Sequence, residues 1–321
     1  MRRRDLASLL VGRSGAVSVP TTESESGMRV RARRRRHVEW LPYWLVVPSL
    51  SLILVINLYP FATGFLYSLR NGTMLQQGNF VGGTNYLALL TDSAFLHSLF
   101  FSALFAVCAV FGSYAVGLAL ALLLNKEFPA RGFFRVCLLV HWIIPSIVSV
   151  ISWRWMINDQ TGMLNLILRQ FGAGPIYLLS TEKQAMFSVI IVKIWRSFPF
   201  MMLSLLAALQ TIDLTLYEAC QIDGAGRWQS FRYITFPHLR DLSIVLWILM
   251  TIWSVNDFET PYLLTGGGPS NATENLIVLA YRLTFRRNDV GSGTAVAFVT
   301  LIILMALALL LLRRQSVEQE D

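Results

Sequence analysis

Apolar residues in this chain come in runs about as long as a bilayer is thick, separated by short polar stretches carrying Gly, Pro and charge. A bilayer core takes roughly 20 consecutive apolar residues in a helix, and six segments qualify. They lie near Tyr43 to Leu66, Leu99 to Leu124, Phe134 to Trp155, Ala185 to Leu209, Leu242 to Leu264 and Ala295 to Leu312. The pattern predicts an all-α, polytopic membrane protein with six transmembrane helices. Residues 1–39 form a basic tail without apolar period, 40–312 the membrane domain and 313–321 a short second tail.

The longest polar interruption, residues 210–241, has an order of its own. Asp213 to Ala225 suits a short helix that Gly224 and Gly226 break. "RWQSFRYITF" suits a second helix ending at Pro237, with Trp228, Phe231 and Ile234 three apart. Two helices around a glycine turn would make a compact protrusion.

Composition agrees with a lipid-facing chain. It is 55% hydrophobic and 14% charged, with a mean hydropathy of +0.54, where soluble proteins are about a quarter charged. The net charge of +8 gathers at the ends of apolar segments, which argues against nucleic-acid binding and for membrane orientation. With both termini inside, the inner flanks hold Arg29, Arg31, Arg33 to Arg36, Lys126, Arg131, Arg135, Arg227, Arg232, Arg240, Arg313 and Arg314. These outnumber the outer set of Arg70, Arg169, Lys183, Arg282, Arg286 and Arg287, so both termini and the 210–241 loop are expected in the cytoplasm. The early "RRRD" is followed only by "LASLLV", too short for a signal segment.

Within the spans, Ser113, Gly117 and Ala121 are four apart, as close helix approach in lipid requires. Pro60, Pro145 and Pro199 are candidate kinks. Cys108, Cys137 and Cys220, and His37, His97, His141 and His238, are scattered without metal-like or disulfide-like spacing. No metal, no cofactor of the chain's own and no catalytic residue are expected. No Walker A sequence occurs, so ATP would have to be hydrolysed elsewhere.

Ionisable residues inside spans are costly and mark functional candidates. Ser254, Asn256, Asp257, Glu259 and Phe258 cluster at one end of the fifth span, and Lys193, Trp195 and Arg196 lie in the fourth. Hydrogen-bonding groups beside aromatic faces suit a sugar. Ser254, Asn256, Asp257, Phe258, Lys193 and Trp195 are therefore candidate pathway residues. Asp257 paired with Lys193 or Arg196 as a structural contact is an equal alternative.

"EACQIDGAGRWQSFRYITFP", Glu218 to Pro237, resembles the cytoplasmic loop of ABC importer permeases. Glu218, Ala219, Asp223, Gly224, Ala225, Phe231 and Pro237 fall on that family's signature, Gly226 agrees with it, and Cys220 replaces its second alanine. "WRWMINDQTGMLN", "SFPFMMLSLLAALQTIDLTLYEA" and "LLTGGGPSNATE" are similar to the carbohydrate-uptake branch, of the maltose-type first permease subunit. The resemblance covers about residues 40 to 312. It implies a type I ABC importer transmembrane domain in a bacterial inner membrane. The expected partners are a second permease subunit, two ATPase subunits that bind ATP and Mg, an extracytoplasmic sugar-binding protein and membrane lipid. It also implies that the eight loop residues couple to the ATPase. An anionic sugar derivative such as glycerol 3-phosphate is an alternative cargo, and a secondary transporter using Asp257 or Glu259 an alternative mechanism.

Overall fold

The structure is a computed structural model that describes residues 41–318. The basic tail read as residues 1–39 lies outside the described residues. The chain divides into two compact units, residues 1–52 and 53–321. The described part of the first is the beginning of helix α1 (Leu41–Ser68), whose side chains from Trp44 to Leu52 are all exposed.

The second unit continues with α2 (Thr84–Thr91), α3 (Ser93–Asn125), α4 (Arg131–Ile143), α5 (Ser146–Met156), α6 (Met163–Gln170) and α7 (Glu182–Leu209). Then come α8 (Leu214–Ile222), α9 (Arg227–Ser230), a π-helical turn (Phe231–Thr235) and α10 (Phe236–Val255). The chain ends with α11 (Glu259–Thr265), α12 (Leu276–Tyr281), a second π-helical turn (Arg282–Arg286) and α13 (Val290–Glu318). Every regular element among the described residues is helical, apart from one isolated antiparallel bridge between Arg70 and Phe80.

The core is built on α3, α7 and α10. Asp92 starts α3 by accepting the Ala94 N–H at 2.8 Å, which satisfies one of the donors a helix start leaves free. Ser113, Gly117 and Ala121 then form a buried stripe against α7. A Cβ on Gly117 would lie 2.6 Å from Met201 Cβ and 2.8 Å from the Met202 nitrogen. Only a missing side chain lets the two backbones meet this closely. Around the stripe Val110, Tyr114, Leu124, Met201, Met202, Leu205, Leu246 and Met250 pack into one cluster. The Tyr114 hydroxyl lies 2.7 Å from Ser243 Oγ, which satisfies a polar group brought into the apolar contact between α3 and α10.

Five helices are long and apolar enough to cross a membrane, or six if one broken pair counts as a single span. That pair is the predicted third span. The chain bends by 95° between α4 and α5, so Phe134 to Trp155 is two helices and not one. Pro145 removes an N–H, and the residue before a proline is driven out of the helical region; Ile144 accordingly sits at φ −65°, ψ 133°. Pro60 and Pro199 lie within unbroken helices.

The fifth span is corrected at both ends. The membrane-grade helix runs from Arg227 to Val255, not from Leu242 to Leu264. The second loop helix therefore does not stop at Pro237. The Phe236 N–H reaches back five residues to Phe231 O, and this wider π turn admits a proline at the head of α10 without a break. The last helix begins at Val290 and continues to Glu318, into the segment read as the 313–321 tail.

Candidate functional site

Two features of the second unit carry chemistry: an exposed helical arm and a polar cavity. The arm begins where Asp213 caps α8, its carboxylate accepting the Thr215 N–H at 3.0 Å. No residue of α8 is buried. Gly224 closes the helix at φ +78°, a left-handed conformation that costs glycine little. Ala225 N–H then bonds back to Cys220 O at 3.0 Å. Gly226 N–H donates to Gln229 Oε1 at 2.7 Å and opens α9.

Two side-chain contacts brace the arm. The Tyr217 hydroxyl lies 2.9 Å from Thr235 Oγ1 and Cys220 Sγ 3.5 Å from Ser230 Oγ, so α8 is fastened to the helix that enters the membrane. Trp228 stacks on Phe231 with ring centroids 5.6 Å apart, while Ile234 turns into the core. Of the residues with the family-like motif, Glu218, Ala219, Asp223, Gly224, Gly226 and Pro237 are exposed, and Ala225 and Phe231 half-buried. The arm also exposes Leu214, Ile222, Trp228 and Tyr233, each at 72% or more. Apolar groups held out on a braced scaffold mark an interaction surface.

The cavity, of about 290 Å³, opens at the break between α4 and α5. His141 and Trp142 come from before the break, Ser146 and Ser149 from after it. Lys193, Arg196, Ser197 and Phe200 come from α7, and Met250 and Trp253 from α10. Phe200 and Trp253 approach with ring centroids 5.0 Å apart, and Trp142 lies 6.2 Å from Phe200. Aromatic faces and hydroxyls thus surround one space.

Both cations of the cavity are held by acids from the chain just beyond α10. Lys193 Nζ lies 2.9 Å from Asp257 Oδ2, with both side chains buried. Arg196 lies 3.9 Å from Asp257 and 3.6 Å from Glu259, and donates to Thr260 Oγ1 at 2.6 Å. Asp257 also accepts from the Thr260 N–H and hydroxyl at 3.0 and 2.6 Å, so it starts α11 as well as pairing with Lys193.

Of the six candidate pathway residues, only Lys193 lines the cavity. Asp257 supports Lys193 from behind. Trp195 stacks on His141 at 4.4 Å, and its carbonyl lies 3.0 Å from His141 Nε2. Phe258 stacks on Tyr262 at 4.6 Å. Asn256 is exposed and donates to Ile252 O at 3.0 Å. Ser254 is wholly buried, and its Oγ lacks a hydrogen-bond partner among the described residues. Trp142, Ser146, Ser149 and Trp253 were not among the candidates; the spacing of Ser146 and Ser149 just after Pro145 is the one sequence signal that could have found them. Among the described residues no group of three or more His, Cys, Asp or Glu is arranged to hold a metal.

Residues 113–316 match the family described as "Binding-protein-dependent transport system inner membrane component". The chain is 36% identical to the trehalose/maltose transport system permease protein MalF of Thermococcus litoralis, over 85% of this chain and 92% of that one. It is 32% identical to the sulfoquinovosyl glycerol transport system permease protein SmoG of Agrobacterium fabrum, over 84% and 88%. A solved chain of a bacterial ABC transporter involved in import of the acidic polysaccharide alginate superposes with a TM-score of 0.76 at 20% identity, covering 86% of this chain and 95% of that one.

Proposed function

Because this chain belongs to the family of inner-membrane components of binding-protein-dependent transport systems, with the type I ABC importer transmembrane fold, we propose that it is one permease subunit of an ATP-driven importer of an uncharged di- or oligosaccharide. It forms half of the pathway, beside a second permease subunit, and two ATPase subunits bind ATP and Mg. An extracytoplasmic binding protein delivers the sugar, and both termini lie in the cytoplasm of a bacterial cell.

The observation that carries this reading is the braced arm, Glu218 to Pro237, projecting exposed apolar side chains from a helix that runs unbroken to the cavity wall. ATP-driven closure of the ATPase pair pulls on the arm. The pull moves α10, and the cavity exchanges access between the two sides. Glu218 supplies a carboxylate for an arginine of the ATPase, and Gly224 allows close backbone approach.

The cavity supports an uncharged cargo. Lys193 and Arg196 line it, but Asp257 and Glu259 already engage them, and Trp142, Trp253, Ser146 and Ser149 offer stacking faces and hydroxyls. One observation favours an anionic sugar derivative instead: Arg196 keeps a side-chain exposure of 20% at the cavity. An ion-coupled secondary transporter fits less well, since its carboxylate would need to exchange ions, and Asp257 is buried against Lys193.

The test is purification of the tagged chain from its native membrane, with ATPase assayed in the presence of candidate sugar-loaded binding proteins. Co-purified ATPase stimulated by one loaded binding protein is the expected result, and uncharged sugars should compete in uptake where phosphorylated ones do not. An intact chain without ATPase would overturn the importer reading.

A further inference from the structure

At the end of the second unit away from the arm lies another cavity, of about 470 Å³. Its wall brings together Arg154 from the end of α5, Tyr262 of α11, Glu274 of the following loop, Tyr281 of α12, and Arg282 and Arg286 of the second π-helical turn. The loop that positions Glu274 is tight, and its end, Ala272 to Asn275, is buried. Gly266 and Gly267 take φ of +68° and +87°, the Thr273 hydroxyl donates to Gly268 O at 2.9 Å, and Asn275 donates to the Asp257 carbonyl at 2.8 Å.

Each arginine is anchored by hydrogen bonds within the protein, Arg286 by both Tyr262 and Tyr281. Arg154 Nη1 donates to Leu263 O at 3.2 Å, Arg286 Nη2 to the Tyr262 hydroxyl at 2.9 Å, and Arg282 Nη1 to Asn271 Oδ1 at 2.6 Å. A guanidinium has five N–H donors, so this anchoring fixes the three groups without saturating them. Arg282 Nη2 lies 2.9 Å from Glu274 Oε1, yet neither atom makes an aligned hydrogen bond, and Arg282 Nε is also buried without a partner.

Glu274 itself is 1% exposed. Burial pushes its carboxyl up to about 7 against the pull of Arg282 and Arg287, so near neutrality it is only partly ionised and does not cancel three guanidinium charges. Phe258, Tyr262 and Tyr281 pack ring on ring beside them and give the site a firm wall. The chemistry is that of a forked cationic receptor for a carboxylate.

We infer that this cavity receives an acidic side chain of the extracytoplasmic binding protein, and that Arg154, Arg282 and Arg286 are its docking contacts. The inference rests on the importer reading and on the orientation proposed with it. A protein carboxylate suits the site better than a free anion, because Arg154 and Arg286 are exposed at the rim, next to exposed Phe285 and Arg287. An incoming surface can cover these groups while one of its side chains enters.

The experiment uses the complete transporter in proteoliposomes, with ATPase activity titrated against its sugar-loaded binding protein. The Arg154→Gln, Arg286→Gln double variant should raise the half-stimulating concentration of binding protein about tenfold or more and weaken its dependence on salt, as loss of charge pairs at an interface does. Basal ATPase and the maximum at saturating binding protein should stay as in wild type. Arg286→Lys alone should lose less affinity than Arg286→Gln, because it keeps the charge but not the fork, which separates lost charge from lost geometry.

An unchanged half-stimulating concentration and salt dependence, in a transporter that its binding protein still stimulates, would overturn the docking assignment alone. Stimulation by free glutamate without binding protein would overturn the assignment to a protein partner. If no binding protein stimulates the wild type, the importer reading falls and takes this inference with it.

Discussion

Lys193 of α7 and Asp257, between α10 and α11, meet with Nζ and Oδ2 2.9 Å apart and with side-chain exposures of 9% and 6%. Two charges hidden this well stabilise the fold only as a pair, since either one alone would keep its desolvation cost without its partner. Asp257→Asn should therefore destabilise the protein by about 3–5 kcal/mol. Lys193→Met combined with Asp257→Leu should recover only part of that loss, because Asp257 also accepts from Thr260 and faces Arg196. Thermal unfolding in detergent, followed by intrinsic fluorescence, compares the variants; a double variant as weak as the single would refute the contribution of the pair.

Glu274 makes stability depend on pH. Its folded carboxyl titrates near 7, above the ordinary 4.5, so between these values the folded state binds more protons than the unfolded state. Stability should fall as pH rises through that window and level off above it. Glu274→Gln should remove this contribution, so its stability relative to wild type should increase from pH 5 to pH 8. Melting temperatures of both proteins at the two pH values measure the difference, and parallel shifts would contradict the assignment.

The exposed position of Glu218 predicts a functional and not a structural defect. Glu218→Arg should leave membrane insertion and melting temperature near wild type, because the side chain is exposed on a helix with no buried residue. Transport should drop at least tenfold, the size expected when a charge-assisted contact is reversed. Uptake assays at matched expression decide it, and full transport would remove Glu218 from the coupling contact.

Gly117 sets the distance between α3 and α7. Gly117→Val places atoms where Met201 Cβ and the Met202 backbone already are, and should destabilise by about 1–3 kcal/mol, as overpacking does. Expression level and melting temperature report the effect. A variant that melts like wild type would show that the helices separate freely.

The long helices were legible because apolar runs of bilayer length have few other uses. The glycine turn of the arm was legible because Gly224 stands where a left-handed residue is needed. What the pattern did not resolve was the fate of prolines. Pro60, Pro145 and Pro199 all sit in apolar surroundings, yet only Pro145 accompanies a sharp bend. Whether a helix survives a proline depends on what its neighbours offer the freed carbonyl, which a single chain read in order does not state. The cavity stayed hidden for the same reason, since its wall combines residues from both sides of that bend. The end of the fifth span was misplaced because Leu263 and Leu264 read as its last turn across the polar run Asn256 to Pro261, whereas the helix stops at Val255 and Asp257 starts a new one.

The π-helical turn at Phe231–Thr235 has a mechanical meaning. Because it carries the helix past Pro237 without a gap, Arg227 to Val255 is one rod of 29 residues, about 40 Å long at the usual rise. Trp228 is near one end, and Met250 and Trp253, at the other, form part of the cavity wall. In the proposed coupling an uninterrupted helix would serve as a crankshaft, a torque applied at Trp228 reappearing at the indole of Trp253.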